Sequence, residues 1–125
     1  ADDNQVNRRV VEKILLRAGH HATLVRNGEE ALEAIKAQPY DLVLMDCEMP
    51  VLDGFQATHQ LREWEAHNAR PRTPVVALTA HILSEHRERA REAGMDGHMA
   101  KPVELSHLRE LIDHWVRVKQ AEHAE

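Results

Sequence analysis

Short continuous apolar runs alternate along the chain with amphipathic helical patterns. The clearest apolar runs lie at residues 41–46 and 74–79, and a weaker run lies at 98–100. Runs of this kind are typical of strands that are buried on both faces of a parallel sheet. A fourth run, at residues 22–25, alternates between apolar and polar side chains and is predicted to be an edge strand.

Apolar residues at helical spacing predict helices between these runs. In chain order the predicted helices are 5–18, 28–37, 54–66, 84–93 and 104–118. Gly19 and Gly94 follow the first and the fourth of them, in the position where glycine commonly ends a helix. Strands that alternate with helices of this length indicate right-handed βαβ units and therefore a doubly wound α/β sheet.

The expected sheet has no first strand in this sequence. Ala1-Asp2-Asp3 leads directly into a helical pattern, although a sheet of this kind should begin with a buried strand. We therefore expect the natural polypeptide to continue upstream of Ala1 with about four or five apolar residues. The alternative is that another chain supplies this strand by swapping. Residues 1–118 are predicted to form the domain, and residues 119–125 a polar tail or linker.

Composition and charge exclude several classes of protein. The 125 residues suffice for one domain, and 42% hydrophobic with 30% charged residues excludes a disordered chain. A net charge of -5 and 3% aromatic residues do not favour nucleic-acid binding, which uses a basic patch and stacking rings. No apolar run approaches the ~20 residues of a membrane span, so no direct membrane contact is predicted. The single cysteine, Cys47, suits a reducing compartment.

Polar side chains stand at the carboxyl ends of the predicted strands. They are Asp2 and Asp3 where a first strand would end, Asp46, Thr79, and Lys101 after the third apolar run. Ligands of open α/β sheets bind outside these ends, so the five side chains are expected to share one crevice. Adjacent carboxylates resist ionising together unless a cation compensates, and Mg²⁺ prefers such oxygen ligands. A carboxylate beside Mg²⁺ and a lysine can act as the nucleophile in phosphoryl transfer.

Four segments together resemble the receiver domain of two-component response regulators. They are 2–7 (Asp-Asp-Asn-Gln-Val-Asn), 44–54 (Leu-Met-Asp-Cys-Glu-Met-Pro-Val-Leu-Asp-Gly), 76–81 (Val-Ala-Leu-Thr-Ala-His) and 101–102 (Lys-Pro). The resemblance covers essentially the whole chain and is strongest to the receivers of hybrid sensor histidine kinases. It implies a flavodoxin-like, five-stranded parallel sheet in the order 2-1-3-4-5, flanked by five helices. The missing first strand would then lie between residues 22–25 and 41–46.

The resemblance also implies which residues accept the phosphoryl group and bind the metal ion. Asp46 matches the phosphoacceptor of the family. Asp3 and Asp46 match direct ligands of Mg²⁺, Asp2 assists them, and the backbone carbonyl of Glu48 completes the protein ligands. The metal site and the phosphoacceptor are therefore expected to share the Asp46 carboxylate.

Further residues match positions that bind the phosphoryl group or respond to it. Thr79 and Lys101 match the residues that bind the phosphoryl oxygens. The aromatic switch position of the family falls on His98, where tyrosine or phenylalanine is common. Glu48 and His81 match positions that flank the phosphoryl group and tune the access of water, although a solvated, neutral role for both is an equal alternative.

The leading hypothesis is a phosphoacceptor switch module within a hybrid sensor histidine kinase. It takes a phosphoryl group from a histidine kinase domain onto Asp46, and then changes its surface or passes the group to a histidine phosphotransfer domain or protein. The alternatives are a stand-alone response regulator, a Mg²⁺-dependent aspartyl-phosphate phosphatase, and a receiver that only binds partners. Whether the domain counts as an enzyme is left open, since only a hybrid parent would be a kinase. The expected location is the cytoplasm, including the cytoplasmic part of a membrane-anchored sensor.

Overall fold

Five helices and three parallel strands make up the described part of the chain in the computed structural model. The structure describes residues 1–47, 49, 51–79, 84–100 and 105–123. In chain order the elements are α1 (Gln5–Arg17), α2 (Gly28–Ala37), β1 (Val43–Asp46), α3 (Gly54–His67), β2 (Val75–Thr79), α4 (Ser84–Ala93), β3 (Gly97–Ala100) and α5 (Leu105–His123). None of the described helices combines the length and the apolar character that crossing a bilayer requires.

The predicted helices and the three predicted strands are confirmed at nearly the predicted bounds, but β3 is not buried on both faces, because His98 and Ala100 are exposed. Gly19 and Gly94 have positive φ angles of 83° and 96°, as expected for the residues that follow α1 and α4. Helix α5 is longer than predicted: it continues past residue 118 and ends at His123. The boundary between a domain at 1–118 and a tail at 119–125 stays a prediction.

The three strands pair in parallel in the order β1-β2-β3. Asp46 at the end of β1 lies opposite Leu78 of β2, and Thr79 at the end of β2 lies opposite Ala100 of β3. This order is the 3-4-5 part of the predicted 2-1-3-4-5 sheet. Because the strands run in the same direction, their carboxyl ends meet at one edge, which is where the candidate residues were predicted.

The edge strand predicted at residues 22–25 is wrong for this structure. A strand requires a ladder of backbone hydrogen bonds to a neighbour. In the described part of the chain, this segment shows one such bond towards Asp2, whose N–H donates to the carbonyl oxygen of Val25 at 3.1 Å. One bond does not make a ladder, so the alternating side-chain pattern alone does not produce a strand here.

Residues Ala1 and Asp2 nevertheless lie where the first strand of the predicted order would run. The Ala1 backbone nitrogen donates to the Leu44 carbonyl oxygen at 2.7 Å, and the Asp46 N–H donates to the Ala1 carbonyl oxygen at 3.0 Å. Asp2 bonds to Val25 on the other side. A cavity of about 130 Å³, bounded by α1, α2 and β1, adjoins Ala1 in the same place.

Helices cover both faces of the sheet, as predicted for a doubly wound fold. On one face α2, α3 and α4 pack against β1 and β2 through Leu32, Ile35, Phe55, Leu61, Ala90, Met45, Val75 and Ala77. On the other face α1 and α5 pack against the sheet through Val11, Ile14, Leu15, Leu108, Ile112, Val76, Leu78 and Met99. Consecutive residues of β2 thus enter opposite cores, which explains why its apolar run is continuous.

A partly buried arginine ties α3 to the segments that precede β2 and β3. The Arg62 guanidinium donates to Glu65 Oε1, to the Thr73 carbonyl oxygen and to Asp96 Oδ2, each at 2.8 Å. Its Nε donates to the Gly94 carbonyl oxygen at 2.9 Å. The Arg62 side chain is 15% exposed and that of Glu65 6%. This Arg62 network holds the starts of β2 and β3 from one side chain.

Candidate functional site

Asp46 ends β1 and is held from both sides of the sheet. The residue is 3% exposed. Its own N–H donates to Ala1, and the N–H of the next residue, Cys47, donates to the Leu78 carbonyl oxygen at 3.0 Å. These bonds continue the pairing of β1 to its last residue. They therefore fix the backbone from which the Asp46 side chain leaves the sheet edge.

Three carboxylates meet at this edge, as predicted. Asp2, Asp3 and Asp46 each offer an oxygen atom, and these atoms all lie within 4.8 Å of one another. Asp2 and Asp46 are buried and Asp3 is exposed. A bound cation would neutralise the negative charge that these three carboxylates bring together. The arrangement suits a divalent ion with hard oxygen ligands, which can enter from the exposed side at Asp3.

The two aspartates before α1 are placed by a tight hydrogen-bonded turn. Asp2 Oδ1 accepts from the Asn4 N–H at 2.9 Å. Asn4 in turn caps α1, because its Oδ1 accepts from the N–H groups of Val6 at 2.9 Å and Asn7 at 3.2 Å. One oxygen of Asp2 is therefore engaged with the backbone. Which of the three carboxylates bind a metal ion directly stays a prediction.

Thr79 ends β2 next to the carboxylate cluster and is 7% exposed. It lies opposite Ala100, the last residue of β3, in the parallel register. Lys101 is the next residue in the sequence. Lys101, Glu48 and His81 lie outside the described residues, so their roles stay predictions. His98 lies in β3 and is exposed. Its role as the switch residue stays a prediction.

A glycine closes the loop that follows Asp46. The Gly54 N–H donates to the Cys47 carbonyl oxygen at 3.2 Å, and Asp53 caps α3 by accepting from the Gln56 N–H at 2.8 Å. A Cβ atom on Gly54 would lie 2.2 Å from the Asp46 carbonyl oxygen. Asp53 and Gly54 therefore act as helix-start and turn residues, and only glycine fits so close to the candidate phosphoacceptor.

The same loop contains a backbone outlier that the sequence did not reveal. Val51 has a φ angle of 70° and is 74% exposed. A β-branched residue rarely adopts this left-handed conformation, and such outliers cluster at functional sites. The loop is fastened beyond it, because the Gly28 N–H donates to the Leu52 carbonyl oxygen at 3.0 Å.

A second feature missed by sequence reasoning is a basic side chain that reaches back from α1. Arg8 Nη1 donates to the carbonyl oxygen of Asp2 at 2.7 Å. The two residues are six positions apart. The sequence does show an arginine in the second turn of a helix that follows two aspartates. Neither periodicity nor charge counting, however, predicts that this arginine donates to the Asp2 carbonyl oxygen.

Comparison with known protein families gives a match over most of the chain. The model of the response regulator receiver domain matches residues 1–113. Sensor histidine kinase GacS of Pseudomonas protegens is 37% identical over 114 residues, which are 91% of this chain and 12% of that protein. The peroxide stress-activated histidine kinase mak1 of Schizosaccharomyces pombe is 36% identical over 115 residues, 90% of this chain and 7% of that protein. The chain thus spans about a tenth of the length of these curated relatives.

Solved structures with the same fold include receiver domains. The receiver domain of sensor histidine kinase PA1611 from Pseudomonas aeruginosa PAO1, with a magnesium ion coordinated in its active site cleft, has a TM-score of 0.83 and 40% identity. The match covers 93% of each chain. A co-crystal of the Saccharomyces cerevisiae phosphotransfer protein Ypd1 with the receiver domain of Ssk1 gives a TM-score of 0.87 and 30% identity, over 91% of this chain and 83% of that one.

Proposed function

The chain belongs to the response regulator receiver domain family, and on this premise we propose that it accepts a phosphoryl group on Asp46 in a two-component phosphorelay. The observation that carries this proposal is the cluster of three carboxylates, with Asp46 buried at the carboxyl end of β1. Backbone hydrogen bonds on both sides hold residue 46, so its buried carboxylate starts from a fixed position as a nucleophile. Its neighbours supply a site for the cation that phosphoryl transfer requires.

The reaction follows from the chemistry of these groups. An Asp46 carboxylate oxygen attacks the phosphorus atom of a phosphohistidine on the donor. The new P–O bond forms as the P–N bond breaks, and the electron pair of the broken bond stays on the imidazole nitrogen. The product on this chain is an aspartyl phosphate, and a second histidine or water can take the phosphoryl group from it.

Asp3 and Asp46 would hold the Mg²⁺ cofactor, with help from Asp2 and from the Glu48 carbonyl oxygen. When bound, it neutralises the charge that builds up on the phosphoryl oxygens. The magnesium ion in the cleft of the Pseudomonas aeruginosa receiver supports this assignment. Without a cation, the three carboxylates would repel an incoming phosphoryl group.

The remaining site residues are assigned by the positions of the receiver domain family that they match. Thr79 offers a hydroxyl from the next strand and Lys101 an ammonium after the last one, and both would bind phosphoryl oxygens. Lys101 is a compact positive charge suited to this task. We assign His98 to the switch position, and Glu48 and His81 to tuning the access of water to the aspartyl phosphate.

The larger protein is proposed to be a hybrid sensor histidine kinase, in which the histidine kinase domain is the phosphodonor. This proposal is supported by the sensor histidine kinases among the relatives of the chain. A histidine phosphotransfer domain or protein is the proposed acceptor, supported by the co-crystal of a receiver with Ypd1. Such a domain would work in the cytoplasm. A stand-alone response regulator remains the alternative architecture.

A small phosphodonor tests the proposed function without any partner protein. The chain is incubated with acetyl phosphate, with Mg²⁺ or with EDTA, and its intact mass is followed. We expect one phosphoryl group per chain, formed only with Mg²⁺. Repeated release of inorganic phosphate from unrelated phosphomonoesters would instead identify a phosphatase. A chain that is never labelled would be a receiver that only binds partners.

Removing one direct ligand should weaken Mg²⁺ binding strongly. Mg²⁺ demands near-ideal octahedral geometry, so Asp3→Asn and Asp46→Asn are each expected to raise its Kd by about tenfold or more in isothermal titration calorimetry. The matched control is Asp113→Asn, which removes an exposed carboxylate of α5 and should leave the Kd unchanged. An Asp3→Asn variant that binds Mg²⁺ as tightly as the parent would place the site elsewhere.

A further inference from the structure

The backbone on both sides of Asp3 is held by side chains. Before Asp3, the carbonyl oxygen of Asp2 accepts the 2.7 Å hydrogen bond from Arg8 Nη1. After Asp3, the Asn4 N–H donates to Asp2 Oδ1 at 2.9 Å. Asp3 itself is exposed and is not covered by packing. These two bonds therefore help to hold the backbone from which the Asp3 side chain leaves.

The bond from Arg8 fixes the peptide plane that joins Asp2 to Asp3. A peptide unit is planar, so holding its oxygen also sets its orientation and the bond that leads into the Asp3 Cα atom. Arg8 is half-buried against the turn, and its guanidinium donates in a rigid, planar geometry. A helix of more than three turns, α1, anchors this side chain.

We propose that Arg8 is a positioning residue of the metal site, which holds Asp3 in the orientation required of a direct Mg²⁺ ligand through its hydrogen bond to the Asp2 carbonyl oxygen. This inference rests on the proposed function, because it assigns to Arg8 a task at the same site. Arg8 does not contact the ion; it acts through the backbone between two of the three carboxylates.

The charge of Arg8 would act in the opposite direction. A cation beside a cation site repels Mg²⁺, so removing the charge alone would tighten Mg²⁺ binding. That repulsion is weakened by another carboxylate near Arg8. The pKa of Glu30 lies below its ordinary value, chiefly because the Arg26 backbone N–H donates to it, and Arg8 adds a smaller Coulomb attraction. Solvent and salt screen what remains. The hydrogen bond from Arg8 to the Asp2 carbonyl oxygen should therefore outweigh this repulsion, so that removing Arg8 raises the Kd for Mg²⁺.

Calorimetric titration of the full chain with Mg²⁺ separates the two effects. Arg8→Met keeps the apolar stem but removes both donor and charge, and it is expected to raise the Kd for Mg²⁺ by about tenfold. Arg8→Lys retains a donor and the charge, so its Kd should fall between those of the parent and Arg8→Met. The matched control is Arg9→Met, at an exposed position of the same helix, which should leave the Kd unchanged.

A double variant tests whether Arg8 acts through Asp3. In an Asp3→Asn background, Arg8→Met should have little further effect on the Kd, whereas two independent contributions would add. Amide resonances of Asp3 and Asn4 in EDTA should also shift in Arg8→Met, before any metal is added. Neither readout depends on phosphorylation.

The outcomes that contradict the proposal are distinct from those that contradict the proposed function. An unchanged or lower Kd in Arg8→Met would overturn the positioning role, as would loss of the fold in both Arg8→Met and Arg8→Lys, since Arg8 would then be a structural residue. A parent chain that neither binds Mg²⁺ nor is labelled by acetyl phosphate would overturn the proposed function itself. A labelled parent with unaffected variants removes only Arg8 from the site.

Discussion

Asp46→Asn is expected to abolish phosphorylation of the chain and to leave its fold intact. A carboxamide has no anionic oxygen with which to attack phosphorus, so the loss should be complete. Asparagine has nearly the same shape, and the backbone bonds that hold residue 46 do not involve its side chain. Removing one of three neighbouring negative charges also relieves their repulsion in the metal-free state. The free energy of unfolding in EDTA should therefore be unchanged or higher.

The matched control for this variant is Asp53→Asn. Asp53 lies in the loop after Asp46 and caps α3, a task that asparagine performs equally well. This control makes the same chemical change close to the site and should be labelled by acetyl phosphate like the parent. Stable labelling of Asp46→Asn at any other residue would contradict the assignment of the phosphoacceptor.

Arg62→Met is expected to cost more stability than any other single change considered for this chain. Removing one partner of a buried ion pair typically costs about 3–5 kcal/mol, because the remaining charge is left without compensation. Without Arg62, the Glu65 side chain, which is 6% exposed, keeps the hydrogen bond from the Thr73 N–H at 2.7 Å. Asp96 keeps Arg72 and the Val75 N–H as partners. The expected destabilisation is therefore about 3 kcal/mol, at the lower end of that range.

Urea unfolding with tryptophan fluorescence measures this difference. The matched control is Arg91→Met, because Arg91 and Glu88 form a pair at 3.8 Å with both side chains mostly exposed. Exposed pairs of this kind contribute less than about 1 kcal/mol, so the control should unfold close to the parent. If Arg62→Met were as stable as Arg91→Met, the Arg62 network would not hold the starts of β2 and β3.

The elements that could be predicted from the sequence are those whose pattern is local. Helices α2 and α3 show an apolar stripe with a capping residue in front, and β2 is a continuous apolar run because both of its faces are covered. The strand predicted at residues 22–25 is not formed, because a strand depends on a neighbour that pairs with it. The alternating pattern of the segment carries no information about that neighbour. The extra length of α5 was missed because its last turns are polar.

The carboxylate cluster could be predicted for a topological reason. Strands of a parallel sheet place their carboxyl ends at one edge, so Asp46 and the aspartates before α1 had to approach each other. The contact of Arg8 with the Asp2 carbonyl could not be predicted, because it depends on how α1 is rotated about its axis. The left-handed conformation of Val51 is set by the closure of its loop, which no residue preference indicates.

The most direct test of the central claim is to locate the phosphoryl group. The chain is labelled with acetyl phosphate and Mg²⁺, digested, and sequenced by tandem mass spectrometry, with an EDTA sample processed in parallel. We predict one modified residue, Asp46, in the Mg²⁺ sample and none in the EDTA sample. A phosphoryl group on another residue, or labelling of Asp46 that does not depend on a divalent ion, would contradict it.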